Sequence, residues 1–171
     1  MSLEDNKTIA RRYFKDAPFN PDACDEIFAP SFQFHAIVHT DVTPQTVASS
    51  PESEKAAYEQ HKAVWGGWHF KIEDIIAEGD RVVVRWTSHG THQGEFNCLP
   101  PTGVRTTNSG INIFRIADGK IVEVWDIFDR LWAWQQLGVL PDLKTAIAHA
   151  VTSISHSQSG QSQTHPASDE S

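Results

Sequence analysis

The chain has 171 residues, an apolar fraction of 39 % and a formal net charge of −8 from 14 basic and 22 acidic residues. This length predicts a single domain with a packed core, and the acidic balance without any Lys/Arg run argues against nucleic acid as a partner. The charged N-terminus has no apolar leader, and no apolar run reaches the length of a membrane span. The two cysteines, Cys24 and Cys98, are too few for a disulfide framework. We therefore expect a cytoplasmic protein without a membrane partner.

The N-terminal part of the chain is predicted to be mostly helical. Ser2, Asn20 and Ser50 are helix-capping residues, and a proline follows two of them at the first helical position. The predicted elements are a helix from Ser2 to about Asp16, a short helix from Asn20 to near Pro30, a strand from Phe32 to Val38, a loop from Thr40 to Ser50 and a helix from Ser50 to Gly66.

The chain after Gly67 is predicted to form sheet, because apolar and polar residues alternate between turn signals. The predicted order is a strand from Trp68, a hairpin turn at Glu78 to Asp80, a strand from Arg81 to Gln93, a loop from Gly94 to Gly103, a strand from Arg105 to Ile116, a tight turn and a last strand and helix that end at Gly138. Helices followed by an antiparallel meander indicate an α+β fold with the helices on one face of a curved sheet.

The C-terminal region divides into two parts. Residues 141–151 carry an apolar stripe at helical spacing, whereas residues 152–171 contain seven Ser and only one large apolar residue, Ile154. Such a segment cannot bury enough surface to offset its ordering entropy. We predict a folded domain over residues 1–151 and a disordered tail over residues 152–171.

The last strand contains an acid on an otherwise apolar face. Alternate residues of a strand share a face, so Asp126 lies on the same side as Val122, Val124 and Phe128. A carboxylate in such a position is costly unless it is paired or serves a function. Two interpretations remain open from the sequence. Asp126 is either a functional residue in a pocket or the buried structural partner of an arginine, for which the candidates are Arg85, Arg105 and Arg115.

Several segments, in their order and spacing, resemble the SnoaL-like polyketide cyclases, which are also known as ester cyclases. The segments are NKTIARRYF, DEIFAPSFQFH, GDRVVVRWTSHGTHQGEF, PPTG, INIFRIADGKIVEVWDIFDRL and QQLG, and they extend from Asn6 to Gly138. The resemblance implies the cone-shaped α+β barrel of the nuclear transport factor two-like superfamily, in which a curved sheet and N-terminal helices enclose a pocket. It also implies ring closure of a polyketide by intramolecular aldol condensation, without a metal or an organic cofactor. The family's acid/base Asp lies six residues beyond the Lys of the DGKI turn, which is Asp126 here.

The strand faces and the resemblance together predict the residues around Asp126. Asn112 shares a face with Asn108, and it can bind a substrate oxygen but cannot shuttle a proton. We expect the substrate-binding set to comprise Asn112, Asn108, Phe128, Trp65 and His35.

No metal site is expected. His89 and His92 would lie on opposite faces of a strand, and His35 and His39 would stand on the order of 13 Å apart along one.

Two classes of function fit these observations. The first is a cofactor-free cyclase or a related lyase or isomerase that acts on a polyketide-like or ester molecule, with a dehydratase or epoxide hydrolase as the alternative enzyme. An epoxide hydrolase would need a second inward-facing Asp, and the sequence shows no obvious one. The second class is a non-catalytic protein that binds a small ligand, because a fold does not fix a function. In either class we expect a small-molecule partner and a homo-oligomer.

Overall fold

The computed structural model describes residues 1–36 and 45–161 as an α+β fold with a six-stranded curved sheet. The elements in chain order are α1 (Leu3–Lys15), α2 (Asp22–Ile27), β1 (Phe28–Ala36), β2 (Gln45–Ser49), α3 (Pro51–Val64), β3 (Trp65–Glu78), β4 (Arg81–His92), β5 (Arg105–Ala117), β6 (Lys120–Phe128), α4 (Arg130–Gln136) and α5 (Leu143–Gln161). The predicted fold class, a curved and mostly antiparallel sheet behind N-terminal helices, is confirmed.

The strands are ordered β2-β1-β6-β5-β4-β3 across the sheet. Strands β3 to β6 form the predicted antiparallel meander, and β2 pairs antiparallel with β1. The pair β1–β6 is parallel, so the sequence-distant N-terminal strand lies beside the strand that carries Asp126. The sheet does not close into a barrel, because β2 and β3 are its two edges.

The first and third helices begin at capping boxes. Ser2 accepts the backbone N–H of Asp5 while the Asp5 carboxylate accepts the N–H of Ser2, and Ser50 and Ser53 repeat this exchange at α3. Helix α1 then packs its buried residues, which include Phe14, against β3 and β4 on the concave face of the sheet.

The core lies between α1, α2 and the concave face of the sheet. Its largest fully buried side chains include Phe14, Phe28, Phe32 and Phe114, together with the inward valines of β4 and β6. The core covers only part of the concave face. Beyond Phe114 a cavity remains, which is bordered by β4, β5, β6 and α3.

Three boundaries differ from the predictions. Residues 45–49, predicted as loop, form β2 because β1 offers them a partner strand, and the rest of that predicted loop lies outside the described residues. Helix α2 ends at Ile27, and Phe28 to Ala36 form β1, since Pro30 cannot continue a helix. Residues 37 and 38 of the predicted first strand also lie outside the described part.

The last helix, α5, extends to Gln161, which makes residues 152–161 helical although they were predicted to belong to a disordered tail. Hydroxyl groups in this part, such as that of Thr152, donate hydrogen bonds to carbonyls one turn earlier. Residues 162–171 lie outside the described range. In the described part of the chain, no helix is both long enough and apolar enough to cross a bilayer.

Candidate active site

A cavity of about 620 Å³ opens between the concave face of the sheet and helices α1, α3 and α4. Most of its wall is aromatic, with Phe14, Trp68, Phe70, Trp86 and Phe128 among the lining residues. This volume falls within the range typical of small-molecule sites, in which a few polar groups are set in an apolar wall.

Asp126 is the acid of β6 that enters this wall. It lies directly opposite Asn112 in the register of β5 and β6, and both residues line the cavity. Burial raises the pKa of the Asp126 carboxyl from 3.8 to about 6, while the Asn112 amide and the Arg130 guanidinium lower it in part. Asp126 can therefore exist in both protonation states near neutral pH, as an acid/base catalyst requires.

The alternative in which Asp126 is a structural ion-pair partner is not supported by the contacts. Arg85 pairs with Asp74 at 2.6 Å, and Arg115 pairs with Glu123 at 2.8 Å. Both arginines are engaged elsewhere, the third candidate, Arg105, is exposed at the start of β5, and Asp126 forms no ion pair with any of the three.

The orientation of Asn112 is set by its neighbours on β4 and β5. The indole N–H of Trp86 donates to Oδ1 of Asn112 at 2.5 Å, and because an indole can only donate, the amide oxygen must face Trp86. The amide NH₂ is thereby left as the donor next to Asp126. The indole fits there because Gly110 has no side chain, since a Cβ at that position would lie 2.4 Å from Cζ2 of Trp86.

A second acid, Glu54 on α3, lines the same cavity, and the sequence analysis did not include it among the site residues. Its Oε1 accepts a hydrogen bond of 3.2 Å from the Ser49 hydroxyl. Burial raises the pKa of the Glu54 carboxyl from 4.5 to about 7, the Ser49 contact lowers it, and the negative charge of Asp126 raises it further. The cavity thus holds two interacting carboxyl groups.

Two polar side chains of the cavity wall have partners inside it, since the Asn112 amide interacts with the Asp126 carboxyl and the Tyr58 hydroxyl with that of Tyr13. The buried Oδ1 of Asn108 lacks a hydrogen-bond partner among the described residues. Buried polar groups without partners are rare in proteins, so this atom points to a donor group of a ligand as its partner.

Residues 1–36 and 45–161 contain no group of three or more His, Cys, Asp or Glu side chains arranged to hold a metal ion. The acids of the cavity have aromatic and amide neighbours, and Arg130 is a cavity-lining cation that lies 4.9 Å from the centroid of the Phe128 ring.

A comparison with protein-family models gives a match over residues 8–137 to the family described as SnoaL-like polyketide cyclase. The chain belongs to this family. The matched residues include all six strands, the last eight residues of α1, all of α2 to α4 and every cavity residue named above, so the SnoaL-like assignment covers the candidate site as a whole.

Individual relatives agree with this assignment. The chain is 29 % identical over 108 residues to the aklanonic acid methyl ester cyclase DauD of Streptomyces sp. (strain C5), which covers 60 % of the chain and 67 % of that protein. IdmH, a proposed polyketide cyclase from Streptomyces antibioticus, is 26 % identical with a TM-score of 0.67, covering 78 % of the chain and 99 % of IdmH. AclR from Streptomyces galilaeus, a proposed hydroxylase, is similar in fold, with a TM-score of 0.72 at 24 % identity over 96 % of the chain and 100 % of AclR.

Five of the six predicted site residues of this SnoaL-like chain lie around one cavity, namely Asp126, Asn112, Asn108, Trp65 and Phe128. The placement of His35 in the cavity was wrong. Its imidazole bonds Glu123 and Thr46 at 2.8 Å each and stacks on Trp125. The reason is strand parity, because on β1 the neighbouring Phe34 faces the cavity and His35 therefore faces the other side of the sheet.

The sequence did contain a signal for Glu54. With Tyr58 and His61 it forms positions i, i+4 and i+7, which share one stripe of α3, and all three line the cavity. Trp65, which the sequence placed on the same stripe, is the first residue of β3 and also lines the cavity. An acid on an aromatic stripe is the helical counterpart of Asp126 on its apolar strand face.

Proposed function

We propose that the chain is a cyclase that closes a ring on a polyketide-like ester by intramolecular aldol addition, with Asp126 as acid and base. The observation that carries the proposal is the position of Asp126, on the inner face of the cavity and with a pKa raised to about 6. The membership in a family of polyketide cyclases supports the reaction class.

The reaction needs little apparatus beyond an acid/base and an enclosing cavity. A hydrogen on a carbon between an ester and a ketone carbonyl is already acidic, so a carboxylate of modest basicity can remove it. The harder requirement is to hold the resulting carbanion against the accepting carbonyl, and an enclosing cavity provides this orientation as effective molarity. The NH₂ of Asn112 is placed to donate to a substrate oxygen beside Asp126, where negative charge develops. The chemistry therefore requires neither a metal nor an organic cofactor.

The test uses aklanonic acid methyl ester, the compound named for the relative DauD, as the first substrate. We expect the wild-type protein to convert it to a cyclic product of unchanged mass, and the substitution Asp126→Asn to lower the rate by on the order of 10²–10⁴, the usual contribution of general acid/base catalysis. A folded D126N protein that cyclises the ester at the wild-type rate would contradict the assignment of Asp126. Failure of the wild-type protein on this ester and on simpler aromatic keto esters would contradict the cyclase function and favour a ligand-binding protein.

A dehydratase or an epoxide hydrolase is a second candidate, and one observation favours the hydrolase in particular. Glu54 supplies a second inward carboxyl group, which was not predicted from the sequence, and Arg130 lines the same cavity. Product mass separates these reactions directly. An aldol addition leaves the mass unchanged, a dehydration removes one water, and an epoxide hydrolysis adds one water whose oxygen is labelled when the reaction is run in H₂¹⁸O.

A further inference from the structure

Glu54 is an acid in the cavity that the proposed mechanism does not yet use. It lies on the inward stripe of α3, in the same cavity as Asp126, and its side chain forms no ion pair with any described residue. The hydroxyl of Ser49 is its hydrogen-bond donor, and a single neutral donor does little to stabilise a buried carboxylate. The neutral acid is therefore the form that this environment favours.

Arg130 and His61 line the same cavity as Glu54, and burial lowers the pKa of the His61 imidazole, which favours its neutral form. The titratable groups that interact electrostatically with Glu54 come from four elements, namely Asp126 on β6, Tyr13 on α1, Tyr58 on α3 and Cys24 on α2. Burial raises the pKa of both tyrosines well above 10 and that of the Cys24 thiol to about 11, so these three groups stay neutral in the physiological range. Asp126 does change charge near neutrality, and its ionisation raises the pKa of the Glu54 carboxyl.

This arrangement separates two tasks that a single Asp would otherwise have to perform in turn. The Asn112 amide and the Arg130 guanidinium stabilise the carboxylate form of Asp126, whereas the Ser49 hydroxyl is the hydrogen-bond donor to Glu54. These contacts favour the proton on Glu54 when the pair holds a single proton near neutrality, and the raised pKa values of both groups agree with this. Pairs of carboxyl groups whose environments push their pKa values apart commonly divide the roles of base and acid.

We propose that Glu54 is the proton donor to the alkoxide formed in ring closure, with Asp126 as the base. This inference rests on the aldol function proposed above. It requires a substrate whose C–H between two carbonyl groups lies against Asp126 while its accepting ketone lies against Glu54 in the same cavity.

The proposed step balances without any further reactant. The Asp126 carboxylate takes the proton from the carbon between the two carbonyl groups, and the electron pair of that C–H bond forms the new C–C bond to the ketone carbon. The π electrons of the ketone move to its oxygen, which takes the proton of the Glu54 carboxylic acid and becomes a hydroxyl. One proton then returns from protonated Asp126 to ionised Glu54, either directly or through water, and restores the starting state.

The experiment compares Glu54→Gln with Asp126→Asn and with the matched control Glu52→Gln, an exposed acid in the first turn of the same helix. Two rates are measured on aklanonic acid methyl ester: ring closure by chromatography, and exchange of the acidic C–H for deuterium by NMR. We expect Glu54→Gln to lower ring closure on the order of 10²-fold while exchange above the buffer background changes by less than about threefold. Asp126→Asn is expected to lower both rates by on the order of 10²–10⁴, and Glu52→Gln to change neither.

The pH profile gives a readout that a merely structural role would not move. With Asp126 ionised and Glu54 protonated in the active form, ring closure by the wild-type protein is fastest between about pH 6 and 7 and falls on either side. In Glu54→Gln the residual rate should no longer fall on the alkaline side. If Glu54→Gln closes the ring at the wild-type rate and with the wild-type pH profile, the inference is overturned. The proposed cyclase function would stand in that case.

Two further measurements keep the inference testable in unfavourable cases. If Glu54→Gln does not fold, Glu54→Asp replaces it, and partial retention of ring closure supports the donor role whereas its complete loss from a folded protein with normal exchange overturns it. If the wild-type protein does not cyclise the ester, the proposed function fails and infrared spectroscopy decides the state of Glu54. A neutral carboxyl band in slightly acidic buffer that disappears in folded Glu54→Gln supports Glu54 as the group that holds the proton, and its absence from the wild-type spectrum overturns the inference.

Discussion

The substitution Asp126→Asn should make the protein more stable, and increasingly so as the pH rises. The pKa of the Asp126 carboxyl is 3.8 in the unfolded chain and about 6 in the folded one, so the folded state holds this proton more tightly. Below pH 4 the carboxyl is neutral in both states, and Asn imitates it in shape and hydrogen bonding. Above pH 6 it is ionised in both states, and only the folded wild-type protein bears the cost of a partly buried charge.

The magnitude follows from the same pKa. A rise from 3.8 to about 6 corresponds to roughly 3 kcal/mol of preferential stabilisation of the protonated form. Because Asp126 retains some exposure toward the cavity, solvent screens part of this free-energy cost. We therefore expect D126N to exceed the wild type in free energy of unfolding by about 1–2 kcal/mol at the alkaline end. Loss of the Asp126 charge also lowers the pKa of the Glu54 carboxyl. The free energy of unfolding of D126N should therefore depend less on pH than it would if Asp126 were an isolated acid.

The assay is urea denaturation followed by tryptophan fluorescence, on wild type and D126N, in buffers spaced from about pH 4 to 8. The control is Asp129→Asn, three residues further on, where the side chain caps α4 by accepting the N–H of Trp132 and where Asn caps about as well. The difference in free energy of unfolding should be near zero at the acidic end and should grow through the window between the two pKa values. A D126N protein that is less stable than wild type at alkaline pH would refute this reasoning, because it would mean that the charge of Asp126 supports the fold.

Two other predictions concern stability. Gly110→Ala places a Cβ 2.4 Å from Cζ2 of Trp86 and 2.6 Å from the Ile127 carbonyl oxygen, so we expect a loss on the order of 1–3 kcal/mol in urea denaturation, as overpacking typically causes. The exposed neighbour Ser109→Ala is the control, and equal stability of the two variants would show that the indole can move aside at no cost. Deletion of residues 152–171 should change the free energy of unfolding by less than about 0.5 kcal/mol, since the described side chains at its start, residues 152–155, are exposed. A melting temperature lowered by several degrees would instead show that this segment packs on the domain.

The parts of the site that the sequence predicted are those fixed by local periodicity. The side-chain period of a strand is two, so Asp126 and Phe128 had to share a face, as did Asn108 and Asn112, wherever the strands were placed. The same rule puts His35 on the opposite face from Phe34, and the expectation that His35 points inward went against it.

What the sequence could not predict depends on partners distant in the chain. Residues 45–49 become strand β2 because β1 pairs with them, and their own composition favours a loop equally well. Glu54 was not predicted as a site residue. An acid in the first turn of a helix has an ordinary explanation, because the helix dipole stabilises negative charge there. Its role in the cavity depends on Asp126, which is 72 positions further along the chain and comes close only when the sheet is complete.

The parallel pairing of β1 with β6 has a consequence for the order of events during synthesis. The register joins Ala36 to Asp126 and His35 to Trp125, so β1 leaves the ribosome long before the strand it must pair with exists. The hairpins of β3, β4 and β5 can form meanwhile from contacts close in sequence, but closure of the long loop between β1 and β6 comes at a higher entropic cost and is expected to be slow. Strand β2 can pair with one edge of β1 early, but the other edge stays unpaired until residue 128 has emerged. The cavity wall that carries Asp126 is therefore expected to form late in folding.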